Sequence, residues 1–106
     1  MTVHQLNQFT KGWFVGEFTP TLVATPHAEV GIKIYKAGDM EPSHHHKVAT
    51  ELTALISGRV RMAGIILLPG QIISLTPGES SDFEALEDSV TVVVKTPCVP
   101  GDKYTD

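Results

Sequence analysis

The sequence predicts an all-β fold, a closed barrel or double-sheet jelly roll, on two observations. Glycine and proline recur at short intervals, at Gly31, Gly38, Pro42, Gly58, Gly64, Pro69-Gly70, Pro77-Gly78 and Pro97. Between them lie short segments rich in β-branched and apolar residues, among them Gly31 to Tyr35, Leu52 to Ile56, Ile72 to Leu75 and Val90 to Lys95. Short strands at such spacing are the pattern of a sandwich or barrel, and roughly eight to ten of them fit this chain, more than one open sheet would comfortably use. No stretch leaves room for a helix.

Each element follows from its punctuation. Leu52 to Met62 reads as two strands joined in a hairpin at Ser57-Gly58, because glycine supplies the positive backbone angle of a tight turn. Pro69-Gly70 and Pro77-Gly78 preset the first and second corners of two further turns. Glu87-Asp88-Ser89 is a weaker turn before the last long strand. The tail from Val99 to Asp106 is polar after Pro100-Gly101 and is expected to wrap the surface or fray, carrying no chemistry.

With 106 residues, of which 42% are hydrophobic and 19% charged, the chain suits one domain over residues 1–106 with one closed core. Twelve acidic against eight basic residues give a net charge of −4, with Lys and Arg scattered, so a nucleic-acid partner is not expected. The longest apolar run, Ile65 to Leu68, is too short to cross a bilayer, and the first residues lack a signal-peptide layout. A cytoplasmic protein that does not bind membranes is expected. Cys98 is the single cysteine, which rules out an intrachain disulfide and a cysteine-based zinc site.

The chemistry concentrates at His44-His45-His46 and Glu51. Alternate residues of a strand share a face, so His44 and His46 point into one space and His45 away from it. Glu51 follows a short turn, where its carboxylate can lie across from the pair. A carboxylate in an apolar strand needs a partner to justify burial. Imidazole and carboxylate together suit first-row divalent metals, and two histidines with one carboxylate leave coordination positions open.

Gly38, His44, His46, Glu51 and Gly58 match, at the same spacing, the first motif of the cupin superfamily, and the chain resembles a small single-domain, RmlC-like cupin over roughly residues 29–95. The second cupin motif resembles Gly70, Pro77-Gly78 and Phe83, with Ser81 standing where the family has a third histidine. The resemblance implies a cupin double-stranded β-helix whose site lies inside, with His44, His46 and Glu51 as metal ligands. Asp82 or water is left to fill the missing place, although strand alternation turns Asp82 outward unless a bulge re-aims it. The metal could be Fe, Mn, Ni, Co or Zn, since all accept this ligand set.

The leading expectation is a metal-binding cupin acting on, or binding, a small polar molecule. One alternative is a metal-free nucleotide-sugar isomerase or epimerase with a cavity histidine as base; another is a non-catalytic sensor or binding barrel. A homodimer is expected, because pairing would cover apolar edge strands. His45, His4 and His27 read as ordinary surface residues. Arg59 and Arg61 could meet an anion but read first as the solvated side of their strand, opposite Val60 and Met62. Lys47 could neutralise a substrate charge or decorate the turn. Trp13, Phe14, Phe18, Tyr35 and Phe83 read as core or dimer contacts, with Phe83 near the cavity mouth.

Overall fold

A computed structural model describes all residues 1–106. Ten strands follow two three-residue 3-10 turns, Leu6–Gln8 and Thr10–Gly12. They are β1 (Trp13–Val15), β2 (Glu29–Tyr35), β3 (Met40–His45), β4 (Thr50–Ser57), β5 (Val60–Met62), β6 (Ile65–Leu67), β7 (Ile72–Leu75), β8 (Ser81–Ala85), β9 (Ser89–Thr96) and β10 (Tyr104–Thr105). Two five-stranded sheets result, with orders β1-β2-β9-β4-β7 and β10-β3-β8-β5-β6. All strand pairings within them are antiparallel. No helix is long and apolar enough to cross a membrane.

The expected strand segments all fall inside observed strands, but the turn at Ser57-Gly58 corrects one expectation. β4 and β5 do not pair with each other; they lie in different sheets, and Gly58 carries the chain between them. Its φ is +88°, and a Cβ there would lie 2.2 Å from both the Asp88 carbonyl oxygen and Ser89 Oγ. Close approach of two backbones, as much as the turn itself, requires glycine. The hairpin is instead β5–β6, turned at Ala63-Gly64, where both residues have positive φ as the two-residue hairpin turn demands.

The space between the sheets is filled unevenly. Leu55, Val60, Met62, Leu67, Leu75, Phe83 and Ala85 form one buried cluster, with Tyr35 and Ile73 packed against it. Along β4 the inward residues run Glu51, Thr53, Leu55, and along β8 they run Ser81, Phe83, Ala85, so each strand passes from polar to apolar. An apolar plug therefore closes one end of the barrel, and the other end keeps a polar cavity of about 240 Å³.

The β2-β9-β4-β7 sheet is also apolar on its outer face. Ile32 and Ile34 of β2, Leu52 and Ile56 of β4, and Val92 and Val94 of β9 point away from the cavity, and Ile34 and Ile56 are 70% and 56% exposed. Of the two expectations for the C-terminal tail, wrapping the surface or fraying, the structure shows the first. β10 pairs with β3, setting Tyr104 opposite His45 and Thr105 opposite His44, and Asp102 is buried.

Candidate metal centre

His44 sits near the end of β3, one residue before His45 closes the strand, and Glu51 is the second residue of β4. The register of β3 against β8 slips by one residue between Glu41 and His44, which pair with Phe83 and Ser81. The extra residue falls at Pro42-Ser43, where proline has no N–H for the ladder. The bulge resets alternation, so that Glu41 and His44 both line the cavity despite their odd spacing. The bulge that sequence reading considered for Asp82 thus occurs across the sheet, on β3.

Ligand atoms of His44, His46 and Glu51 lie within 4.8 Å of one another. The two imidazoles meet edge-on with ring centroids 5.4 Å apart. His44 Nδ1 donates to the Pro42 carbonyl at 3.2 Å, and His46 Nδ1 donates to the Asp102 carbonyl. A carbonyl can only accept, so these bonds fix the proton on Nδ1 and leave Nε2 of each ring for the cavity. His46 Nε2 lies 3.2 Å from Glu51 Oε1, while Thr53 Oγ1 donates to Glu51 Oε2 at 3.0 Å. Two donor atoms held about 2.1 Å from one ion stand roughly 3.0–3.4 Å apart, so His46 and Glu51 already have the spacing of neighbouring ligands.

His46 and Glu51 are both buried. The hydrogen bond to Glu51 raises the pKa of His46; burial opposes this and the Asp102 carbonyl assists. For Glu51, burial alone would raise the carboxyl, but the bonds from His46 and Thr53, with Lys95 nearby, outweigh it and hold its pKa low. Glu51 is the buried carboxylate with a partner that the sequence asked for.

Ser81 is buried, lines the cavity and pairs with His44, the place its register predicts. Its hydroxyl donates to the Asp82 carbonyl at 2.6 Å. Asp82 is exposed; its carboxylate accepts the Ala63 N–H at 3.1 Å, apart from the His44/His46/Glu51 cluster. His45 stacks on Tyr104 and bonds Asp106. Arg61 pairs with Glu84 at 2.6 Å on the surface, and Lys47 lies over the Tyr104 ring. None of these three reaches the cavity.

Two groups of residues escaped sequence reading. Asp102 accepts N–H bonds from Lys47, Val48 and Ala49, the nearest at 2.9, 3.1 and 2.9 Å, while its own carbonyl holds His46. Burial would raise the Asp102 carboxyl, but these three donors together lower it. The turn between the histidines and Glu51 is thus clamped by a residue of the tail. The second group is Trp13, Lys33 and Lys95, which line the cavity with the histidines, so Trp13 stands outside the apolar core. Lysines facing inward from alternating strands were the available signal.

Neither a protein-family model nor the sequence of a curated protein matches this chain. Solved structures do. An RmlC-like cupin from Shewanella frigidimarina superposes with TM-score 0.63 at 13% identity, over 71% of this chain and 70% of that one. The chain has the cupin fold. A Klebsiella pneumoniae protein with a double-stranded β-helix domain matches this chain at TM-score 0.67 and 23% identity, covering 80% of each chain. Bacillus subtilis oxalate decarboxylase, described by its Mn(II) centres, matches at TM-score 0.62 and 20% identity, over 76% of this chain and 24% of that one.

Proposed function

We propose that this cupin holds a divalent metal ion at His44, His46 and Glu51 and uses the remaining coordination positions to bind a small polar molecule. One observation carries the reading: both histidines spend Nδ1 on a backbone carbonyl, which leaves Nε2 free, and a ligand atom of each lies within 4.8 Å of the Glu51 carboxylate. That is the arrangement by which ligating histidines are oriented and their basicity raised. The oxalate decarboxylase neighbour has Mn(II) centres, which supports a divalent metal in a protein of this fold.

Such an ion would act as a Lewis acid on a bound oxygen. The chain's own residues supply the rest. Thr53 and Asp102 hold Glu51 and His46 in place, and the apolar plug below excludes water from that end. The cavity volume of about 240 Å³ suits a small polar molecule.

The test is metal content by elemental analysis of untagged protein purified without chelators, and again after stripping and reloading with Fe(II), Mn(II), Ni(II) and Zn(II). About one ion per chain is expected, lost in the His44→Ala/His46→Ala double variant with the fold retained. Stoichiometric metal in the double variant would overturn the assignment.

The expected homodimer gains a specific surface in this reading. The outer face of the β2-β9-β4-β7 sheet carries aliphatic side chains and no charge on its central strands, so two copies can meet back to back without like-charge conflict. Light scattering on the wild type and on Val92→Lys would show a dimer and a monomer. A wild-type monomer, or a dimer unmoved by Val92→Lys, would refute this surface.

A further inference from the structure

The cavity holds a second constellation, facing the His/His/Glu cluster. Gly31 of β2 leaves its place on the inner face empty, and the Trp13 indole lies there; a Cβ on Gly31 would come within 2.7 Å of the ring. Two ammonium groups flank that ring. Lys33 Nζ stands 5.3 Å and Lys95 Nζ 4.9 Å from its centroid. The strand register explains the placement: Lys95 pairs with Glu29 on one side and Glu51 on the other, and Lys33 lies two residues beyond Gly31 on the same face.

Lys33 has no carboxylate partner, and Lys95 has one, Glu29, at the long end of ion-pair distance. Lys33 makes no ion pair and has one hydrogen bond, to the Lys11 carbonyl at 2.6 Å. Lys95 reaches Glu29 only at 3.7 Å. Each ammonium carries three donors, so most of this capacity points into the cavity unused. The acidic residues of the same cavity are engaged elsewhere: Glu41 with the Tyr35 hydroxyl, Glu51 with His46 and Thr53, Glu79 with Thr76, and Asp82 with the Ala63 N–H. Two half-buried cations with spare donors, set on an aromatic ring, form a receptor for an anion.

We infer that Lys33 and Lys95, seated on Trp13, bind a carboxylate of the substrate, which is a small dicarboxylate or a carboxylate carrying a second oxygen donor. The inference rests on the metal reading only for the second donor, which would meet the ion at His44, His46 and Glu51. A cavity of about 240 Å³ suits an organic acid of a few carbons. The lysines fix one end by charge and hydrogen bonds, and the polar cluster receives the other.

Calorimetric titration with malonate, and with its monoamide malonamate, tests this on metal-free and Mn(II)-loaded protein. The forms compared are wild type, Lys33→Met/Lys95→Met and Lys33→Arg/Lys95→Arg. Expected is a malonate affinity at least tenfold weaker in the Met variant, restored in the Arg variant, with malonamate binding weakly to all and the metal content unchanged. Malonate bound equally by wild type and the Met variant, malonate and malonamate bound equally by wild type, or no malonate binding at all would overturn the lysine site. Failure of the metal reading shows separately, as absent metal in the wild type. The lysine site would then still be read from the metal-free titrations, where the loss in the Met variant must persist.

Discussion

Asp102→Ala should loosen the metal site from a position outside the ligand set. The carboxylate satisfies three backbone N–H groups in the 47–49 turn, and its buried position denies them ready access to water. A buried donor left without its partner costs about 1–3 kcal/mol. Three would sum to more than the turn can sustain, so it should open to water, and the net loss should settle at about 2–4 kcal/mol. That is a large part of the 5–15 kcal/mol that holds a typical domain together. The Asp102 carbonyl that orients His46 belongs to the backbone and survives the change, but the segment bearing it would no longer be fixed. Metal affinity should fall about 10–100-fold, the usual consequence of losing an outer partner. Urea unfolding of the metal-free protein gives the first quantity and competition with a chelator gives the second. A variant within about 0.5 kcal/mol of wild type, with unaltered metal affinity, would refute the clamp.

Four further outcomes are expected. Ser81→His places an imidazole opposite His44 in the cavity and should slow metal loss to EDTA by at least about tenfold, or 1.4 kcal/mol; unchanged or faster loss would mean that position 81 does not serve the centre. Metal affinity should rise with pH through and above 6.5, because the ion must displace a proton that Glu51 holds on His46 more tightly than usual; calorimetry in buffers of different ionisation enthalpy should show proton release, and its absence would contradict the His46 assignment. In the metal-free protein the same pair stabilises the fold fully between the ordinary Glu value of 4.5 and the ordinary His value of 6.5, and urea unfolding should show the contribution fading as pH rises through the raised His46 value or falls through the lowered Glu51 value. Leu55→Ala, at a fully buried position of the plug, should cost about 2–5 kcal/mol in urea unfolding while leaving metal stoichiometry intact; loss of the metal with the fold retained would mean that plug and cavity are coupled.

The strands and the histidine pair were legible because they are local. Two-residue alternation sets His44 and His46 on one side, and turn residues bound each strand. Glu51 was legible because its charge interrupts an apolar segment. Asp102 was not, since its work is done 53 to 55 residues back along the chain and a polar tail reads as a fringe. Lys33 and Lys95 were hidden by a sound rule applied to an unusual sheet. In β2 and β9 most of the aliphatic residues, Val93 excepted, face out and the lysines face in, the reverse of what a half-buried strand normally does. The β4–β5 connection misled because glycine marks a turn without saying whether the next strand returns beside the last or crosses to the opposite sheet.

That inverted sheet sorts the sequence by parity. On β2, β4 and β9 the odd-numbered residues, such as Lys33, Glu51, Thr53, Val93 and Lys95, line the cavity, and the even-numbered ones, such as Ile34, Leu52 and Val92, form the outer face. Substitutions at the two sets are insulated from each other by the thickness of one backbone. Selection can therefore revise the cavity lining without disturbing the outer face, and the reverse. The same interleaving forbids a frame shift, because sliding any of these strands by one residue would exchange the two sets wholesale.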